Sequence, residues 1–255
     1  MHSGYQIDAG VGSDGTRVVI KRLRAELRDR DDLAARLLAE GRYLSALGGE
    51  HGVLRCYESR DSPAELTLEY AAGGSFVERL GSPLPRPVSL RLFRSVSSAV
   101  AHAHAHRIIH RDIKPSNMLF TASGALRLAD FGIAVRRGAR STVEGWDDID
   151  VGTLGYAPPE LLRDPSTANT ETVDIYELGA LLHELLLGVP PHMMHGDETE
   201  AQLRARIVSG ATRDLTPREH SLPPQFRALL DSALSPYPNR RPQSVAALLS
   251  LLDAI

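Results

Sequence analysis

Two short polar loops, separated by an apolar strand, turn and strand, constrain this chain more than any other feature. The first loop is His110-Arg-Asp-Ile-Lys-Pro-Ser-Asn117 and the second is Asp130-Phe-Gly132. Between them Met118-Leu-Phe120 and Leu126-Arg-Leu128 read as strands, with Ser123-Gly124 as the tight turn. Such a hairpin sets its flanking loops side by side, so the Asp112 and Asp130 carboxylates, the Lys114 amine and the Asn117 amide can converge on one point. Read blandly, these are ordinary loop polars. Eight specified positions followed by Asp-Phe-Gly at this spacing rarely arise by chance.

The chemistry that needs this set is phosphoryl transfer: a base accepts a hydroxyl proton, metal ions neutralise the phosphates, and a cation sits by the moving group. Asp112 would be the base, Lys114 the cation, and Asn117 and Asp130 the metal ligands. The stretch resembles the catalytic and metal-binding loops of protein kinases, and Lys114, two residues after Asp112, resembles the Ser/Thr subgroup. The resemblance implies an α+β, bilobal fold: a small antiparallel β-sheet with one helix, then a mainly helical second lobe. It also implies ATP and Mg2+ as cofactors, with Mn2+ as a substitute, and protein hydroxyls on Ser/Thr as acceptors.

Composition narrows the setting. With 255 residues and 42% hydrophobic content the chain can bury a full core. A net charge of -3 gives no electrostatic argument for nucleic acid or a membrane surface. The lone Cys56 excludes an internal disulfide, and no apolar run approaches the roughly 18 residues of a membrane span. The start, Met1-His-Ser-Gly, lacks the pattern of a signal peptide. These features predict a soluble, cytoplasmic protein. Of 29 basic residues only Lys21 and Lys114 are lysines, and both fall in the motifs. A chain that otherwise uses the planar guanidinium needs a compact ammonium at these two places. That Arg-rich, Lys-poor usage and the chain's compactness point to a bacterial-type kinase.

Val18-Val-Ile-Lys21 ends a β-branched run and resembles the family strand whose Lys holds the α- and β-phosphates of ATP. Residues 31–47 read as a helix with Asp31 or Asp32 as N-cap and Leu33, Leu37, Leu44 and Leu47 on one face. Glu40 falls on that apolar stripe, and a carboxylate facing inward needs a partner, for which Lys21 is the candidate. Gly10-Val-Gly12-Ser-Asp-Gly15 matches G-x-G-x-x-G literally, but too few residues separate it from Lys21 to hold strand, turn and strand. Residues 11–16 therefore read as a hairpin turn with Asp14-Gly15 at its tip. On this alignment Gly4 resembles the last glycine of the family's phosphate-covering loop and residues 5–9 the strand after it, so the first strand and earlier glycines lie upstream of Met1 or are absent. An absent lid would favour a pseudokinase or scaffold with impaired ATP binding. A small-molecule phosphotransferase is the other rival; those enzymes usually lack both the Lys114 position and the Pro-Glu anchor with its Arg.

Residues 54–58 and 65–69 read as further strands. By resemblance Leu68 is the gatekeeper, residues 69–75 form the hinge, and backbone groups of Glu69 and Ala71 hold adenine. The single domain then divides as 1–68, 69–75 and 76–255. Residues 89–107 read as a helix ending in His102, His104 and His106; a spacing of two turns neighbours about 200° apart, which argues against a shared metal and for a partly exposed helix end. Gly152-Thr-Leu-Gly-Tyr-Ala-Pro-Pro-Glu160 resembles the close of an activation loop. The resemblance packs Thr153 against Asp112 and Lys114, pairs Glu160 with Arg241, and has Asp174 accept backbone N–H bonds from the catalytic loop. Ser141 and Thr142 are candidate phosphosites and Arg111 their phosphate receiver; Glu144, Asp147, Asp148 and Asp150 are alternative partners for that Arg. Residues 173–187, apolar nearly all round, read as a buried helix, and 200–208, 224–234 and 243–252 as three more.

Overall fold

The computed structural model describes residues 4–79, 84–139, 151–166, 168–210 and 219–255. The candidate phosphosites Ser141 and Thr142 and the acidic residues from Glu144 to Asp150 lie outside them. A four-stranded antiparallel sheet comes first, ordered β1-β2-β4-β3. Its strands are β1 (Tyr5–Val11), β2 (Arg17–Leu23), β3 (Cys56–Asp61) and β4 (Ala64–Glu69). The β1–β2 hairpin closes as its sequence directs. Gly12 N–H donates to the Thr16 carbonyl (2.7 Å), the Asp14 carboxylate accepts the Thr16 N–H (2.9 Å), and Gly15 takes a φ of 82 that favours a residue without a Cβ. The literal glycine motif is thus a strand end and a turn.

Helix α1 spans Asp31–Leu47, the predicted range, and buries Leu37, Glu40, Leu44 and Leu47 against the sheet. Its N-cap is Arg30, with no side-chain capping bond, while Asp31 and Asp32 occupy the first turn. There their charges favour the helix dipole instead of supplying a cap. Strand β3 starts at Cys56, two residues later than expected, because the Leu54 N–H donates to the Leu128 carbonyl (2.9 Å) and joins the sheet lobe to the rest of the chain.

The second part is mainly helical. Helix α2 (Arg86–Ala105) begins three residues before the expected start; it accommodates Pro87 because a proline in the first turn forfeits no intrahelical bond. Short strands β5 (Ile108–Ile109), β6 (Met118–Phe120), β7 (Leu126–Leu128) and β8 (Val135–Arg136) follow, with β6 and β7 forming the predicted hairpin. Then come α3 (Val151–Leu154), α4 (Pro159–Arg163), α5 (Glu171–Leu187), α6 (Glu200–Val208), α7 (Pro224–Ala233) and α8 (Val245–Asp253). Helix α5 is buried along nearly its whole length, as its apolar composition requires. One continuous apolar cluster runs from Leu37, Leu66 and Leu68 beneath the sheet, through Phe93, Leu128 and Phe131, to Leu178, Leu182 and Leu230. This shared core holds the two parts face to face over a cleft. Among the described residues no helix is long and apolar enough to cross a membrane.

Candidate active site

A cavity of about 390 Å³ lies in that cleft. Val19, Leu54, Leu68, Leu119 and Ala129 line it with apolar surface, and Lys21, Glu40, Asn117 and Asp130 bring the charges and the amide. Each polar group is there for a local reason. Lys21 sits on β2 with its ammonium bonded to both Glu40 oxygens (2.9 and 2.7 Å), and it reaches across the cleft to Asp130 Oδ1 (3.2 Å). Burial opposes the Lys21 charge, but Asp130 and Glu40 outweigh it and hold the amine's pKa above its ordinary value. The same ammonium pulls the Asp130 carboxyl down to about 2. Asp130 itself has a φ of 62, a left-handed conformation uncommon for a residue with a side chain.

Below the cavity the catalytic-loop residues converge. Asp112 Oδ1 pairs with Lys114 Nζ at 2.9 Å, and Oδ2 accepts from Asn117 Nδ2 at 2.8 Å. Lys114 also donates to Thr153 Oγ1 at 2.6 Å, which ties α3 to the loop. The loop hangs on α5: Asp174 Oδ2 accepts the His110 N–H (2.9 Å) and Oδ1 the Arg111 N–H (2.8 Å). His110 is held by two bonds that determine its tautomer. Its Nδ1 accepts the Asp112 N–H (3.2 Å), so Nε2 carries the proton donated to the Ala129 carbonyl (3.1 Å). Arg241 is fully buried at the α4–α5 junction, bidentate to Glu160 (2.5 and 2.8 Å) and bonded to the Thr172 and Ser235 carbonyls.

Other sequence-predicted residues fall differently. Gly4 is not at the cavity; a side chain there would meet Leu27 and Leu33, and its carbonyl accepts the Arg24 N–H. Tyr5 and Ile7 line the cavity instead. Within residues 69–75 the Glu69 N–H is spent on the Arg55 carbonyl (2.8 Å) and its carboxylate on Arg127, while the Ala71 carbonyl accepts from Gly74. Leu68 and Ala71 both line the cavity. Arg111 is completely buried, in the field of Glu177 and Asp174, and burial draws its pKa down to about 10.

Sequence reasoning missed several members. His104 is buried and its Nε2 donates to Asp174 Oδ2 at 2.7 Å, so the expectation of a partly exposed helix end fails for it. His102 and His106, four apart, share a face, with ring centroids 4.5 Å apart, although neighbours two apart do not. No metal cluster forms there or elsewhere among the described residues. Glu177, one turn after Asp174 on α5, accepts the Ile113 N–H (2.8 Å), and burial pushes its pKa well up. A second acidic residue three places on in an apolar helix was the available signal. Arg36 Nε on α1 donates to the Gly132 carbonyl (2.7 Å), one turn before Glu40.

Comparison with known proteins supplies the deciding observation: the protein kinase domain model matches residues 7–250. The chain belongs to the protein kinase family. This kinase domain is 33% identical over 88% of its length to the serine/threonine-protein kinase drp72 of Corynebacterium efficiens, covering 43% of that protein. It is 29% identical over its full length to serine/threonine-protein kinase PknL of Mycobacterium tuberculosis, covering 66% of it. It is also 31% identical over 68% of its length to Aurora/IPL1-related protein kinase 2 of Caenorhabditis elegans, covering 57% of it. The domain therefore spans less than two thirds of the length of these relatives, and the two bacterial kinases match the larger share of it.

Proposed function

We propose that this chain is an active serine/threonine kinase domain that transfers the γ-phosphoryl group of Mg-ATP to protein hydroxyls. The observation carrying this reading is the pair of opposed constellations: Asp112 held by Lys114 and Asn117 below the cleft, and Lys21 held between Glu40 and Asp130 above it. The residues fit the cofactor. The apolar end of the cavity suits a flat base, with the Glu69 carbonyl and the Ala71 N–H as its hydrogen-bonding partners. The opposite end offers a carboxylate with 47% of its side chain exposed, Asp130, and the Asn117 amide, whose nitrogen is committed to Asp112 and whose oxygen is the donor for a hard cation. Bound there, Mg2+ would neutralise phosphate charge as the bond to the leaving group breaks.

The chain's own residues do the rest. Lys21 meets the α- and β-phosphates and Glu40 keeps its ammonium in place. Asp112 accepts the proton of the incoming hydroxyl. Lys114, bridged between Asp112 and Thr153, stabilises charge on the transferring group and seats the acceptor. Asp174, Glu160 and Arg241 position the loops. We place Arg111 as the partner of a phosphate on Ser141 or Thr142, or of one of the acidic residues between them and Val151. We take residues 1–255 as a single domain with its hinge at 69–75, acting in the reducing cytoplasm where Cys56 stays a thiol.

The test is incorporation of label from γ-labelled ATP with Mg2+ into the chain itself or a generic protein acceptor, beside Asp112→Asn. Label on Ser or Thr that falls at least about 100-fold in the variant is expected. Label equal in both proteins would defeat the enzyme reading in favour of a scaffold.

A further inference from the structure

The phosphate end of the cavity holds a side chain that no motif of the sequence accounts for. Tyr5, at the head of β1, pairs with Leu23 of β2, while Ile7 pairs with Lys21. Residues two apart on a strand share a face, so Tyr5 and Ile7 both turn toward the cleft, and both line the cavity. Ile7 covers it beside Val19. Tyr5 lies further along, with Lys21 Nζ 4.9 Å from its ring centroid. Its hydroxyl is buried in the field of Arg36, Lys21, Glu40 and Asp130, and the last three line the cavity at the end where phosphates would bind.

The Lys21 ammonium has three N–H bonds to give. Two go to Glu40 and one to Asp130 Oδ1, and the Tyr5 ring covers the ammonium from the strand above. A phosphate oxygen therefore has no open approach to Nζ while Tyr5 and Asp130 keep these positions. Asp130 would be drawn off Lys21 by a cation held on its carboxylate. A tyrosine ring is different: it brings no charge a metal could recruit, and it gives up a desolvated cation–ring contact when it leaves.

We infer that Tyr5 is an internal competitor for the phosphate seat and sets the affinity of this domain for nucleoside triphosphate, acting on the phosphates and not on the base. The inference rests on the proposed ATP reading and adds to it an affinity-determining residue. Because the base-binding end is lined by other residues, the effect separates ATP from adenosine.

The experiment is titration calorimetry of the whole chain with Mg-ATP and, separately, with adenosine, for the native protein, Tyr5→Ala, Tyr5→Leu and Tyr5→Phe. Tyr5→Ala should tighten Mg-ATP by about 3-fold to 30-fold, the range cation–ring contacts span from exposed to desolvated, and leave adenosine within about 2-fold. Tyr5→Phe keeps the ring and should stay near the native affinity. Should Tyr5→Ala lower the unfolding temperature, Tyr5→Leu retains apolar packing without the ring, and the same gain is required of it. Mg-ATP affinity that is unchanged or weaker in Tyr5→Ala and Tyr5→Leu, or a gain shared equally by adenosine, overturns the inference while the ATP reading stands. Binding of neither ligand by any of the four proteins overturns both.

Discussion

Replacing Asp174 by Asn tests the physical basis of the site most directly. The carboxylate is wholly buried and accepts three hydrogen bonds: His110 N–H (2.9 Å) and His104 Nε2 (2.7 Å) on Oδ2, and Arg111 N–H (2.8 Å) on Oδ1. Asn keeps the shape but has one acceptor and carries no charge. Whichever way the amide turns, at least one former donor faces an NH2 group. A hydrogen bond to a charged acceptor contributes about 1.5–3 kcal/mol, and an orphaned buried donor costs about 1–3 kcal/mol. Arg111 also holds a φ of 70, an unfavourable backbone whose N–H is bonded to Asp174. Together these give an expected loss of about 3–5 kcal/mol, which for a chain of this size lowers Tm by roughly 6–20 °C. Denaturant unfolding followed by circular dichroism measures it. In the kinase assay turnover should fall while KM for ATP holds, because Asp174 supports the catalytic loop and not the nucleotide end. The pH dependence carries a definite sign. Burial opposes ionisation, but His104 and the donors of His110 hold the carboxyl below its ordinary 3.8. Its contribution is therefore complete above that value and is lost as pH falls through the lower folded one, so the gap between native and Asn proteins narrows only below about pH 4. A gap under about 1 kcal/mol at neutral pH would refute the reasoning.

Three further outcomes are expected. Glu40→Gln leaves Lys21 with one carboxylate, and kcat/KM for ATP should fall about 100-fold in steady-state assays while circular dichroism stays unchanged. Arg241→Met strips Glu160 and the Thr172 and Ser235 carbonyls of a buried partner; unfolding should show about 3–5 kcal/mol lost, with part recovered in the Glu160→Gln double variant. Gly73→Ala puts a methyl 2.5 Å from the Thr121 carbonyl and 2.7 Å from Phe120 Cβ; since backbone cannot yield cheaply there, about 1–3 kcal/mol of destabilisation is expected in the same measurement.

The parts of this domain that local rules govern were legible in advance. Helices α1 and α6 occupy their predicted ranges because a 3.6-residue apolar period is a property of the sequence itself. The β1–β2 turn was legible because Asp14-Gly15 supplies its own turn chemistry. Boundaries failed where a distant partner intervened, as at Leu54, whose N–H bonds Leu128. His104 looked like one of three exposed imidazoles. What buries it is Asp174, 70 residues away, which no local pattern reports.

The sequence by itself determined which groups could do chemistry: Lys21, Asp112, Lys114, Asn117 and Asp130, spaced so that a hairpin and a strand must bring them near one cleft. Tertiary structure alone decided which neighbours hold and crowd them. Glu177 and His104 support the catalytic loop from α5 and α2, Gly4 turns away toward Leu27 and Leu33, and Tyr5 covers Lys21. The reason is physical. Periodicity and turn preference are set within a few residues, whereas the partner of a buried polar group is fixed only when elements far apart in the chain pack and exclude water.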